Sequence, residues 1–246
     1  MAKTLILIPS RMAATRLPGK PLLRINNLSI ISHVFKRAEE ANIGEVVVAT
    51  EDKEIFEDVL KNEGRAILTK KDHKTGTDRI FEAYKKLNIK DVDYILNLQG
   101  DEPDINKDDI INLNNHMIDH DGELGTLAAK IQNDKMLDNK NVVKVITKNN
   151  LNDKDFSKAL NFTRDNLSQD YQNIYHHIGI YSYKVSTLQK FVSLAQTKNE
   201  IKNKLEQLRA LDNKIKINVA LAKSSPIGVD TEEDYLAIKK IMEYKS

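Results

Sequence analysis

The sequence predicts an α/β protein with an open, mostly parallel sheet, flanking helices and a β-rich antiparallel lobe. Three observations lead there. Short apolar runs alternate with segments of helical period through the first half of the chain. Those runs are almost unbroken by polar residues, as strands buried on both faces require. From Leu124 onward, longer strand-like segments follow one another across loops rich in Asn, Asp and Lys.

The elements follow in order. Thr4–Pro9 is a short apolar run read as a buried strand. Ser29–Asn42 places Ile30, Ile31, Val34 and Ala38 at helical spacing behind an N-capping Ser29. Glu45–Thr50 is a second strand, Asp52–Asn62 a helix stopped by Gly64, and Ala66–Thr69 a short strand. Thr77–Leu87 is a third helix, Tyr94–Gln99 a strand ending at Gly100, and Lys107–His120 a fourth helix. Leu124–Ile131, Val142–Thr147, Ala159–Phe162 and Tyr175–Tyr183 are strands of an antiparallel extension. Val185–Ala195 and Glu200–Leu211 are helices, Lys216–Leu221 a late strand, and Thr231–Tyr244 a helix capped by Thr231. No repeat or low-complexity linker interrupts the chain, so the expectation is one domain over residues 1–246 with an inserted β-rich lobe at about 124–183.

Composition narrows the function. Of 246 residues 40% are hydrophobic and 30% charged, and 38 basic against 36 acidic side chains leave a net charge of +2. That balance gives no reason to expect a nucleic-acid or membrane partner. No apolar stretch approaches the roughly 20 residues of a membrane span, and the first apolar run is too short for a signal-peptide core. Cysteine is absent, which removes disulfides, thiolate metal sites and a cysteine nucleophile. The expected setting is the cytoplasm.

Open α/β sheets bind ligands beyond the carboxyl ends of their strands, and the informative segments fall there. Ser10-Arg11-Met12-Ala13-Ala14-Thr15-Arg16-Leu17-Pro18-Gly19-Lys20 follows the first strand. Arg11, Arg16 and Lys20 on so restricted a loop suit a polyanion such as a nucleoside triphosphate, because guanidinium forks and a lysine point charge both match phosphate oxygens. The spacing fits neither a Walker P-loop nor a dinucleotide-binding turn. Gln99-Gly100-Asp101-Glu102-Pro103 puts a carboxylate after a buried strand, either as a Mg2+ ligand or as the start of an ordinary turn. Asp230 is either a helix-dipole partner or the second carboxylate of that Mg2+ site. His73-Lys74-Thr75-Gly76-Thr77-Asp78-Arg79 either touches a base or ribose or simply caps a helix. Alternation puts His177 and Tyr181 on one strand face and His176 on the other, which disfavours zinc and suits a hydroxylated ligand. Glu206, in Leu205-Glu206-Gln207-Leu208-Arg209, reads as a charge on a helix surface.

Together these segments resemble the 3-deoxy-manno-octulosonate (Kdo) cytidylyltransferase family. The matching stretches are R-M-A-A-T-R-L-P-G-K-P-L, H-K-T-G-T-D-R, N-L-Q-G-D-E-P, H-H-I-G-I-Y, L-E-Q-L-R and G-V-D-T-E-E-D, in that order from residue 11 to residue 234. The first is shared with other sugar nucleotidyltransferases, whereas Q-G-D-E-P, H-x-G-I-Y and L-E-Q-L-R together are more specific to the Kdo branch. The resemblance implies a nucleotide-diphospho-sugar transferase-like fold and transfer of CMP from CTP to the anomeric hydroxyl of Kdo, for lipopolysaccharide biosynthesis. It implies that Arg11, Arg16 and Lys20 hold the CTP phosphates, that Ser10 and Asp101 also bind the nucleotide, that Thr75, Gly76 and Arg79 lie near the cytidine, and that Asp101 and Asp230 bind Mg2+. Gln99, Arg164, His177, Tyr181 and Glu206 would face the sugar acid. Arg11, Lys20, Asp101 and Asp230 would carry the catalysis, in a homodimer.

The chain departs from the family's pattern at three places. Ala14 stands where Ser is usual, Phe162-Thr163-Arg164 replaces F-S-R, and Asp165-Asn166-Leu167-Ser168 lacks a proline-containing run. The departures around Arg164 leave 8-amino-Kdo or a nonulosonate as rival sugars. A glycosyltransferase would need a D-x-D motif, which Asp101-Glu102-Pro103 does not supply. A nucleotide-binding subunit without activity would bind CTP and release no pyrophosphate.

Overall fold

A computed structural model of the chain describes residues 2–13, 16–166 and 172–245. Ala14, Leu167 and Ser168 lie outside them. The chain gathers into two compact units, Met1–Ile110 with Pro226–Ser246, and Ile111–Ser225. The β-rich segment expected at 124–183 lies inside the second.

In the first unit, β1 (Thr4–Ser10) is the central strand. A ribbon of β2 (Arg24–Ile25) and β3 (Leu28–Ser29) follows, unannounced by the apolar pattern. Its turn residues Asn26 and Asn27 have φ of 48° and 64°, the left-handed pair a two-residue hairpin requires. Then come α1 (Ile30–Glu40), β4 (Gly44–Thr50), α2 (Lys53–Lys61), β5 (Ala66–Leu68), α3 (Gly76–Leu87) and β6 (Tyr94–Asn97). The strands lie in the order β5-β4-β1-β6, every pair parallel, with Thr4 level with Gly44 on one side and Tyr94 on the other. Leu5, Ile6, Leu7 and Ile8 are each at most 1% exposed, and such burial contributes about 1.5–3 kcal/mol per side chain. This explains why the first strand reads as an unbroken apolar run. Ser29 caps α1 by accepting the Ser32 amide hydrogen, as its position predicts. α4 (Lys107–Asp119) spans the border at Ile110.

The second unit contains β7 (Leu124–Lys130), α5 (Asp134–Asp138), β8 (Lys144–Thr147), β9 (Ser157–Thr163) and β10 (Ile174–Lys184). After these come α6 (Val185–Ser193), α7 (Lys198–Asn203), α8 (Leu208–Asp212) and β11 (Asn218–Leu221). Its strands run β10-β7-β11-β9-β8, and β8 also pairs with the start of β10, so the five strands close on themselves. Within the expected lobe β10 pairs antiparallel with β7 and β8, and β8 with β9, whereas β11, which comes later in the chain, lies parallel to β7. The single helix expected over Glu200–Leu211 is two. Lys204 takes a left-handed conformation at φ 53°, ending α7, and α8 starts only at Leu208. Leu205, 3% exposed, turns inward between them. The chain returns to the first unit in α9 (Glu232–Lys245). No helix among the described residues is long and apolar enough to cross a membrane.

Candidate active site

The loop after β1 is shaped by Leu17-Pro18-Gly19-Lys20. Leu17 carbonyl accepts the Lys20 amide hydrogen at 3.2 Å, and Gly19 sits at φ 73°, ψ 6°. Proline then glycine at these places makes a type II turn, where a side chain at Gly19 would be strained. Lys20 then opens a one-turn 3-10 helix, Lys20–Leu22, with Pro21 pre-set for it. The loop is tied twice at Met12, whose carbonyl accepts from the Gly19 amide at 3.1 Å and whose own amide donates to Asp52 Oδ2 at 2.7 Å. Arg11 and Arg16 remain exposed, while the Lys20 side chain is only 14% exposed.

Lys20 Nζ donates to Asp101 Oδ2 at 2.7 Å, to the Val229 carbonyl at 2.8 Å and to Asp230 Oδ1 at 3.1 Å. Arg16 donates to the other oxygen of Asp230 at 2.7 Å. Both aspartates are held from behind. Gly100 lets the chain turn under β1, where an added Cβ would lie 3.0 Å from the Pro9 carbonyl oxygen and 3.1 Å from Ile31 Cδ1. Packing therefore leaves little room for a side chain at Gly100. Val229, fully buried with Ile25, Ile30 and Ile238, donates its amide to the Asp101 carbonyl at 2.9 Å. Asp234 accepts from the Asp230 and Thr231 amides at 3.2 and 2.9 Å, and Thr231 Oγ1 accepts the Asp234 amide in return. This is a capping box with aspartate in the glutamate's place, so Thr231 caps α9 as predicted.

The charges perturb one another. Burial alone would lower the Lys20 pKa, but Asp101 and Asp230 outweigh it and raise the value above 10.5. Burial, reinforced by the neighbouring charge of Asp101, pushes the Glu102 carboxyl up to about 8. Glu102 Oε2 is buried without a hydrogen-bond partner among the described residues.

A cavity of about 340 Å³ opens above these groups. Ser10, Arg11, Arg16, Lys20, Thr75, Gly76, Arg79, Gln99, Asp101 and Asp230 all line it, so ten residues singled out in the sequence meet at one place. Ser10 Oγ is buried there without a hydrogen-bond partner among the described residues. Thr75 is the N-cap of α3, accepting from the Asp78 amide, and the first turn of that 12-residue helix faces the cavity through Gly76. Arg79 lines the wall, but its guanidinium is tied into the protein. It donates to Thr69 Oγ1 at 2.6 Å and to the Lys70 carbonyl at 3.2 Å, and it pairs with Glu51.

The remaining predicted residues belong to the second unit. His177 and Tyr181 do share a face, with ring centroids 5.4 Å apart, although the β10 register shifts between Ile178 and Tyr181. His177 Nε2 lies 3.0 Å from Thr126 Oγ1, whose hydroxyl is placed to donate to the Ile180 carbonyl at 2.7 Å, so the imidazole is the donor. Burial above all, with the His176 and Arg164 charges, drives the His177 pKa down to about 3 and keeps the ring neutral. Burial, Tyr183 and Glu206 raise the Tyr181 hydroxyl well above 10.0. His176 turns the other way, its Nδ1 2.8 Å from Ser225 Oγ.

Glu206 lies in the turn between α7 and α8, not on a helix surface as its sequence suggested. The Arg209 guanidinium stands 3.7 Å from its carboxylate. That guanidinium also makes a buried two-pronged pair with Glu200, at 2.9 and 2.6 Å, and lies 4.7 Å over the Phe191 ring. Arg164 directs its guanidinium to the Lys140 and Asn141 carbonyls at 3.3 and 3.0 Å, and the buried Lys144 donates to Arg164's own carbonyl at 3.1 Å.

Sequence reading missed the supports of these groups: Asp52, Asp234, Arg209, Thr126 and Lys144. Only Asp234 carried a usable signal, the T-x-x-D spacing of a capping box. Asp101, Asp230 and the Val229 carbonyl present hard oxygens to one cation, a donor set that suits Mg2+. No cluster of three or more His, Asp or Glu able to hold a metal occurs among the described residues. Mg2+ commonly takes one or two carboxylates and completes its shell with phosphate and water, so the residues present fit it.

The chain is similar to known proteins over most of its length. A family model described as Cytidylyltransferase matches residues 5–217. A 3-deoxy-manno-octulosonate cytidylyltransferase of Rhodopseudomonas palustris (strain BisB18) is 46% identical over 241 residues, covering 98% of both chains. Another, of Nitrobacter hamburgensis, is 43% identical and covers 98% of this chain and 93% of its own. The solved structure of a CMP:2-keto-3-deoxy-manno-octonic acid synthetase complexed with CTP superimposes with a TM-score of 0.90 at 33% identity, covering 100% of both chains. A UDP-glucose pyrophosphorylase, at 15% identity and a TM-score of 0.74, shares the fold. The chain belongs to the 3-deoxy-manno-octulosonate cytidylyltransferase family.

Proposed function

We propose that the protein transfers CMP from CTP to the anomeric hydroxyl of Kdo and releases pyrophosphate. The observation that carries this reading is one cavity in which Arg11, Arg16 and Lys20 meet Asp101 and Asp230, in a chain of this family. In the reaction the anomeric hydroxyl gives up its proton to water, its oxygen bonds to the α-phosphorus, the bond to the bridging oxygen breaks, and pyrophosphate leaves with that electron pair. Arg11, Arg16 and Lys20 supply positive charge for the triphosphate and for the negative charge that builds on the leaving group. The buried Ser10 hydroxyl and the first turn of α3 add hydrogen-bond donors along the same wall. Asp101 and Asp230 would hold Mg2+, which when bound neutralises phosphate oxygens and eases ionisation of the sugar hydroxyl. His177, kept neutral, and Tyr181, kept protonated, offer hydrogen bonds without charge, which suits sugar hydroxyls. On the strength of the family resemblance, we extend the reading to a cytoplasmic homodimer feeding lipopolysaccharide synthesis.

The test is pyrophosphate release with CTP, Mg2+ and a panel of sugar acids. Turnover is expected with Kdo. Turnover confined to 8-amino-Kdo or to a nonulosonate would reassign the sugar, and CTP binding without any pyrophosphate release would overturn the reaction.

A further inference from the structure

Lys20 is placed where a metal would be. Its ammonium touches both aspartates that form the candidate Mg2+ site, and takes the Val229 carbonyl as well. Oxygens at 2.7–3.1 Å surround one nitrogen, and the Lys20 side chain is mostly shielded from water. The cluster is also balanced: Lys20 and Arg16 carry two positive charges and Asp101 and Asp230 two negative ones. A bare divalent cation entering it would meet an ammonium on its own ligands and leave an uncompensated double charge. A metal arriving with a triphosphate brings the negative charge to which Lys20 and Arg16 can transfer.

We propose that Lys20 is the resident cation of this site and that its ammonium must leave Asp101 and Asp230 before a divalent metal binds there. The inference rests on the preceding reading of Asp101 and Asp230 as metal ligands. The lysine then has two successive positions, on the carboxylates in the metal-free enzyme and on the phosphates in the loaded one. Exchange between them prevents the site from filling with metal before nucleotide is present. The loop is built for such a move. Gly19 and Pro21 fix the Lys20 backbone, so the displacement falls on the flexible side chain.

The experiment measures Mn2+ binding to nucleotide-free full-length protein by electron paramagnetic resonance. Lys20→Met is expected to bind Mn2+ on the order of tenfold more tightly than wild type. Arg16→Met removes a similar charge from Asp230 while leaving the ammonium in place, so its gain should be clearly smaller. Equal gains in the two variants, or none in Lys20→Met, would overturn the exchange. Adding Asp101→Asn to Lys20→Met should abolish the tight binding. If that double variant still binds as tightly, the assignment of Asp101 as a ligand fails, and the exchange with it. If Asp101→Asn weakens Mn2+ binding while Lys20→Met gains nothing, only the exchange fails. Wild-type protein gives a second readout that needs no variant. Saturating Mn2+ should speed labelling of Lys20 by an amine-reactive reagent severalfold, as read by peptide mass spectrometry. An unchanged rate with Mn2+ bound would overturn the proposal.

Discussion

The ammonium of Lys20 lies 2.7 Å from the carboxylate of Asp101, a residue 81 positions away in the chain. A strand end, a proline-glycine turn and a buried valine converge to make that contact. Asp101→Ala therefore removes both a counter-ion and a candidate metal ligand. Its kcat for pyrophosphate release should fall by at least about 100-fold, with the fold intact by circular dichroism. A wild-type kcat at saturating Mg2+ would contradict the role assigned to Asp101.

Gly100→Ala tests the packing behind that aspartate. The new methyl would meet the Pro9 carbonyl oxygen at 3.0 Å, and backbone cannot yield as a side-chain tip does. The variant should lose about 1–3 kcal/mol in urea unfolding. Because Asp101 is the next residue, KM for CTP should also rise.

Arg209→Met should damage stability, because Arg209 is buried. It strands the Glu200 carboxylate in a buried place, at a cost of about 3–5 kcal/mol. It also takes away the guanidinium beside Glu206, so KM for the sugar acid should rise more than KM for CTP. Thermal unfolding and the two KM values check both halves.

Glu102 gives a pH signature. Its folded pKa of about 8 lies above the ordinary 4.5. Below pH 4.5 the group is protonated whether the chain is folded or not, and it has no effect. Between 4.5 and 8 the unfolded chain ionises while the folded one resists, so stability falls as pH rises. Glu102→Gln should remove that loss, and its advantage in denaturant titrations of the metal-free protein should grow across this window. An advantage independent of pH would contradict the assignment.

His177 acts in the opposite direction. Its folded pKa of about 3 lies below the ordinary 6.5. As pH falls through 6.5 the unfolded chain takes a proton that the folded core refuses, and stability drops until about pH 3. His177→Asn should flatten this part of the acid unfolding profile. Its urea midpoint should change less than that of wild type between pH 6.5 and 4.5.

Much of this protein can be read along the chain. The parallel strands are legible because both their faces are buried, so the apolar run of Leu5–Ile8 needs no partner to be recognised. Helix starts are legible where one side chain bonds an amide three residues on, as at Ser29, Thr75 and Thr231. The cationic loop is legible because proline and glycine restrict it locally while its charges stand close together.

Tertiary structure decided what depends on residues far apart. Nothing near Lys20 in the sequence shows that its ammonium rests on Asp101 and Asp230, because their encounter is made by Gly100 passing under Pro9 and by Val229 in the core. Arg79 has the composition of a ligand contact, and its guanidinium is tied instead to Thr69, Lys70 and Glu51. Glu206 has helical neighbours, and a left-handed Lys204 with an inward Leu205 puts it in a turn. The sequence by itself determined which groups could meet a triphosphate, since charge and turn chemistry are local properties. Only the tertiary structure decided that the lysine rests between the two aspartates, since that depends on distances to oxygens on two segments far apart in the chain.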